Sequence, residues 1–102
     1  MTKYYFAVAS KKFFVEEEPI EEVLRERTTY YKNTGKDLDF WFLVDPPFLK
    51  SKDFSYIQSR IQQPSAAIVS TNPVFINWIK LRVNYVLTGE IESEQVLEMS
   101  LN

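Results

Sequence analysis

The stretch from Ala66 to Glu90, AAIVSTNPVFINWIKLRVNYVLTGE, constrains the fold of this chain more than any other. A short apolar run leads into Thr71-Asn72-Pro73, a helix-start signal, and Gly89 closes the segment. That order predicts a strand, a tight turn and a helix. Proline in the first helical turn removes no intrahelical bond, and the Asn72 side chain is placed to accept from amides left exposed there. Gly89 is read as the left-handed stop of the helix.

Spacing the helix residues about 100° apart separates two apolar sectors. Phe75, Ile76, Ile79, Val83, Val86 and Leu87 form one, and Val74, Trp78, Leu81 and Tyr85 form the other. Asn77, Lys80 and Asn84 leave a polar stripe only about 60° wide. A surface helix needs one apolar face, so two sectors predict contacts on two sides. Arg82 falls within the apolar arc, near Phe75, Trp78, Ile79 and Val86. Its simplest reading is an arginine lying over apolar neighbours, with its head in water or in an internal ion pair. The competing reading is a charged anchor in an aromatic contact patch, since interfaces favour arginine beside tryptophan.

Composition narrows the chemistry. The chain of 102 residues is expected to form one globular domain over 1–102, with 45% hydrophobic and 16% aromatic residues supplying its core. A net charge of −2 gives no electrostatic footprint for nucleic acid or an anionic membrane. With neither cysteine nor histidine, thiol nucleophiles, disulfides, histidine bases and the usual zinc or haem ligands are excluded. No metal or cofactor is therefore expected. The N-terminus shows no apolar segment of signal-peptide or membrane-span length, so the protein is expected to stay where it is made.

Taken in order, Lys3 to Ser10 reads as a strand buried on both faces, interior to a sheet. Lys11 to Val15 fits either an extension of that strand or a helical turn. Glu16-Glu17-Glu18-Pro19 opens a helix whose apolar row is Ile20, Val23, Leu24, Tyr30 and Tyr31, and which Gly35 stops. Its acidic start is a solvated helix terminus rather than a cation site, because no second ligand cluster follows. Arg27 lies in the apolar row, where an ion pair with a neighbouring carboxylate is the default. Asp37 to Asp45 alternates as a strand, with Leu38, Phe40, Phe42 and Val44 on its core face and Asp37, Asp39, Trp41, Leu43 and Asp45 on the other. After Pro46-Pro47, residues 51–62 support a short helix through Phe54, Ile57 and Ile61. Glu90 and Ile91 begin another extended segment, and residues 92–102 form either an edge strand or a frayed tail. The expected class is α+β: four to five short strands in a mostly antiparallel or mixed sheet, packed with three to four helices.

Four blocks, KYYFAVAS, FFVEEEPIEEVLRER, DFWFLVDPPFL and AAIVSTNPVFINWIKLRVNYVLTGE, stand in this order over residues 3–91. Together they closely resemble the hypothetical chloroplast reading frame fifty-four family of cyanobacteria and plastids. The resemblance implies a non-catalytic accessory subunit of the oxygen-dependent magnesium-protoporphyrin IX monomethyl ester cyclase of chlorophyll biosynthesis. It implies a di-iron catalytic protein as partner, with other chlorophyll-biosynthesis enzymes as further candidates. It also implies a cytoplasmic or stromal location, with thylakoid association only through the partner. The family's partner-facing positions are an acidic residue followed by phenylalanine, and an arginine on the long helix. Here they read Asp39, Phe40 and Arg82, and Trp78 joins them as the aromatic neighbour of Arg82. Strict alternation sends Asp39 and Phe40 to opposite faces, so both reach one partner only at a strand end or bulge.

Other readings follow in order. The second is a tetrapyrrole carrier that delivers the magnesium porphyrin to the enzyme with an axial ligand other than histidine. A stand-alone enzyme using Asp37, Asp39 or a tyrosine is weaker, because it needs a closed polar pocket around those groups. RNA binding comes last, since the basic groove is missing.

Overall fold

The structure, a computed structural model, describes residues 2–83 and 85–93. Its elements are β1 (Thr2–Ser10), a π-helical turn (Phe13–Glu17), α1 (Ile20–Thr34), β2 (Phe40–Val44), two 3-10 turns (Pro47–Lys50 and Lys52–Phe54), α2 (Ser55–Arg60), β3 (Ser65–Ser70), α3 (Pro73–Val83) and β4 (Leu87–Ser93). The strands form one sheet in the order β2-β3-β1-β4, with every neighbouring pair antiparallel. The expected α+β class is observed. The tail beyond residue 93 lies outside the described residues.

This order follows from the connections. β1 and β2 run the same way with β3 between them, and β3 and β4 run the same way with β1 between them. Each pair is bridged by a long helix, giving the double split-βαβ plan of ferredoxin-like folds. The right-handed crossover preference puts both helices on one face. Their buried residues Ile20, Tyr31, Phe75, Ile76 and Ile79 accordingly share a core cluster with Ala7, Ala9, Phe40 and Ile68 of the sheet. The opposite face carries Tyr4, Phe6, Val8, Ala67 and Val69, covered by Leu49, Phe54 and Ile57 of the 3-10 turns and α2. β1 is therefore interior, as its apolar sequence predicts.

Local chemistry sets the helix ends. Asn72 Oδ1 accepts from the amides of Val74 at 2.9 Å and Phe75 at 3.4 Å, as the start signal requires. Gly35 caps α1 at φ 71°, a conformation that costs a side-chain-bearing residue more. The ambiguous Lys11 to Val15 stretch is helical and widens into the π-helical turn, closed by the Glu18 amide on the Phe13 carbonyl at 2.8 Å.

Two expectations are corrected. β2 begins at Phe40 rather than Asp37, and Leu38 and Val44 are 48% and 49% exposed, so only Phe40 and Phe42 of that face pack in the core. Gly89 does not stop α3, which ends at Val83; it lies in β4 opposite Phe6. A Cβ there would sit 2.6 Å from Phe6 Cζ. The Phe6 ring is fully buried and held by Phe48 and Phe54 at centroid distances of 5.3 and 5.4 Å, so it has no room to withdraw. Gly89→Ala should therefore lower stability by about 1–3 kcal/mol. Urea unfolding checks this: the midpoint should fall with little change in slope, and an unchanged midpoint would contradict the packing argument.

Candidate functional site

The α1–α3 face gathers most of the residues that the sequence singles out. Asp39 sits just before β2, where its carbonyl accepts from the Thr71 amide at 3.1 Å and from Ser70 Oγ at 2.8 Å. Its backbone is thereby fixed to the end of β3. Asp39 Oδ1 accepts from the Tyr31 hydroxyl at 2.9 Å, and that hydroxyl accepts from Arg27 Nη2 at 2.9 Å. Arg27 and Tyr31 are one helical turn apart on α1, which brings their side chains together.

Rings continue the series. The Arg27 guanidinium lies 3.9 Å from the Phe75 centroid, 5.1 Å from Tyr31 and 5.9 Å from Phe40. Phe75 stacks on Trp78 at 6.2 Å with 18° between planes, and the Arg82 guanidinium is 5.6 Å from the Trp78 ring. Asp39, Tyr31, Arg27, Phe75, Trp78 and Arg82 thus form one contiguous run linking the start of β2, α1 and α3. Each cation over a ring contributes about 0.5–2 kcal/mol, more where water is excluded.

Arg27 departs from the expected ion pair. Among the described residues it makes no salt bridge; the Tyr31 hydroxyl stands between it and Asp39, and its buried Nε has no hydrogen-bond partner. Burial, followed by the hydrogen bond to Asp39, raises the Tyr31 phenol pKa, while Arg27 opposes both. The phenol therefore remains protonated near neutral pH and serves as a donor to Asp39.

The expected site residues separate into two groups. Asp39, Trp78 and Arg82 belong to the surface run: Asp39 is half-buried, Trp78 is 43% exposed and Arg82 is exposed. Phe40 does not join them as a contact residue. It is 4% exposed, with its ring 5.7 Å from Tyr31 and 5.3 Å from Phe75, so it is core that supports the run from beneath. The conflict over alternation resolves at the strand end, because Asp39 precedes β2 and reaches the α1 side with its carboxylate.

Within α3, the sector of Phe75, Ile76, Ile79 and Val83 is buried, whereas Val74 and Leu81 are 73% and 70% exposed. Tyr85, just past the helix, is exposed but packs edgewise on Phe13 at 6.1 Å. Among the described residues nothing covers Val74 and Leu81 of the second apolar sector. A cleft of about 240 Å³ runs beside it, lined by Val23, Glu26, Arg27, Tyr30 and Trp78. Among the described residues, no group of three or more His, Cys, Asp or Glu is placed to hold a metal ion.

Sequence reasoning placed Arg27 and Tyr31 on one row of α1 but missed their part in the site. The usable signal was the arginine-to-tyrosine spacing of one turn, in a row that also borders an acidic strand start.

The fold and this surface define a small α+β domain with a charged, aromatic face on its paired helices. The chain belongs to the Ycf54 protein family, whose model matches residues 2–93. It is 46% identical to a Ycf54 protein of Pyropia yezoensis over 103 aligned positions, covering all of this chain and 93% of that one. With a Ycf54-like protein of Synechocystis it shares 48% identity over 93 positions, 91% of this chain and 70% of the relative. The crystal structure of Ycf54 from Thermosynechococcus elongatus superposes with a TM-score of 0.91 at 50% identity, covering 99% of this chain and 96% of that chain. No helix among the described residues is long and apolar enough to cross a membrane.

Tyr31→Phe should keep the ring contacts with Phe40 and lose both hydroxyl bonds, at a cost of about 1 kcal/mol. A raised folded pKa gives stability that is complete below the unfolded value, near 10.0, and is lost as pH rises through the folded one. Wild-type unfolding free energy should therefore fall more steeply than that of Tyr31→Phe from about pH 10 upward. Parallel slopes in urea titrations across this range would contradict the assignment.

Proposed function

We propose that this chain is an accessory subunit that docks on the di-iron protein of the magnesium-protoporphyrin IX monomethyl ester oxidative cyclase. In this role it supports that enzyme in chlorophyll biosynthesis and performs none of its chemistry. The observation that carries the docking reading is the uncovered α3 sector, with Val74, Trp78 and Leu81 in water beside Arg82. A lone domain has no folding reason to keep such a row exposed, and partner surfaces commonly look like this. Trp78 and Arg82 are residue types that concentrate binding energy, and the Arg27–Tyr31 pair pre-orders Asp39 before the partner arrives. The chain reaches the thylakoid through its partner.

A tetrapyrrole carrier fits less well. An apolar cleft of about 390 Å³ is lined by Phe14, Val15, Pro19, Ile20, Leu24 and Phe42, with Glu21 as the one charged residue of its lining. The carboxylate of a porphyrin side chain would meet another carboxylate there, one that Arg25 at 3.1 Å only partly offsets at this exposed site.

Arg82→Ala and Asp39→Ala should each leave unfolding cooperative and weaken binding to the purified di-iron protein by about tenfold or more, the range of an interface anchor. Co-purification of the di-iron protein at wild-type yield with either variant would mean that the surface is misplaced.

A further inference from the structure

We infer that the occupant of the α3 face is an amphipathic α-helix of the partner that carries a carboxylate opposite Arg82. This inference rests on the docking reading above and names what docks. Three observations lead to it.

The first is spacing. Val74, Trp78 and Leu81 follow steps of four and three along α3. Alternating steps of four and three are the seam of two helices packed at a shallow angle, where each side chain enters a hole formed by the other.

The second is the backbone. Between its ends α3 bonds its N–H and C=O groups along its own axis, as any α-helix does, so that stretch offers no main-chain bonds to a visitor. An extended segment laid on it would bury its own unpaired amides and carbonyls, whereas a helix arrives with its own satisfied. The cleft of about 240 Å³ between α1 and α3 adds a hole that one projecting side chain can enter.

The third is charge. α3 contains no acidic residue. Lys80 Nζ is engaged by the Val86 carbonyl at 2.6 Å. Arg82 makes no salt bridge among the described residues and lies over Trp78. Covering this face removes water from that guanidinium, which is costly unless a carboxylate meets it. Two copies of this chain packed α3 against α3 would bring their Arg82 side chains together with no acid on either α3, and Glu26 of α1 sits in the cleft beside Trp78 rather than on the seam. A carboxylate-bearing helix of a different protein removes that conflict.

The test uses the full chain with the purified di-iron protein. Val74 and Leu81 are replaced in turn by photoreactive p-benzoylphenylalanine, and the attachment points are mapped by mass spectrometry. The two positions should attach about seven residues apart on one helical segment of the partner, with Asp or Glu within one turn of the seam. Arg82→Glu should weaken the complex about tenfold or more, and Asp/Glu→Arg at the mapped acid should restore it. Attachment to an extended segment, to a second copy of this chain or to lipid would overturn the inference, as would failure of every mapped acid to restore Arg82→Glu. If the complex forms but neither position attaches, the helix inference falls and docking stands. If the wild-type chain forms no complex, both fall.

Discussion

The architecture depends on how the two faces of β1 are filled. Placed between β3 and β4, this strand has no solvent side, so each face requires its own cover. One face presents Tyr4, Phe6 and Val8, and the other Ala7 and Ala9 beside Ala66 of β3. Bulk on the first face leaves room for only short 3-10 turns and the brief helix α2. Small residues on the second let α3 lie close to β1 and β3, and α1 and α3 supply the large side chains themselves. Phe75 and Ile79 of α3 share one core cluster with Tyr31 and Ile20 of α1 above this alanine platform. Gly89 belongs to the same logic, since the crowded face around Phe6 leaves no space for another methyl group.

The exposed surface of α3 follows from that asymmetry. A helix seated on the sheet by one sector turns its remaining circumference away, and on α3 that remainder holds the exposed apolar row of Val74, Trp78 and Leu81 beside Asn77 and Arg82. Burying a Val, Leu or Trp side chain is worth about 1.5–3 kcal/mol, which this chain leaves unused at Val74, Leu81 and much of Trp78. Two arginines frame the surface differently. Arg27 is drawn inward by Phe75 and Tyr31, where it orders Asp39 through a phenol rather than pairing with it. Arg82 remains in water over Trp78, free to meet an incoming group. The first organises the site and the second is the anchor of the proposed docking.

Much of this was legible in sequence where periodicity and local signals agree. Within Pro73–Val83 the two α3 sectors divided as spacing indicates, because a helical wheel reports faces directly, but Tyr85, Val86 and Leu87 lie beyond the helix and Leu87 packs on the opposite face of the sheet. Asn72 and Gly35 performed the capping their chemistry suggests. Gly89 misled because glycine answers two needs, a positive φ and a missing Cβ, and only the opposing Phe6 distinguishes them. Phe40 misled in a similar way: its place in the family pattern pointed to contact, while its depth depends on Tyr31 and Phe75, which lie far away in sequence. The Arg27–Tyr31–Asp39 series was hidden for the same reason. Its first step is a local spacing of one turn, but its second joins a helix to a strand start that only the fold brings near. The antiparallel order likewise lay beyond local pattern, since alternating strands and helices fit parallel and split arrangements equally well.

The central claim is that the exposed α3 sector with Arg82 and Asp39 is the partner face of a cyclase subunit. Its most direct test is affinity capture of the wild-type chain from host membranes, with quantitative identification of what is bound. The account predicts that the di-iron protein of the oxidative cyclase is the main protein enriched over an unrelated tagged control. A different dominant partner, or none enriched above that control, would contradict it.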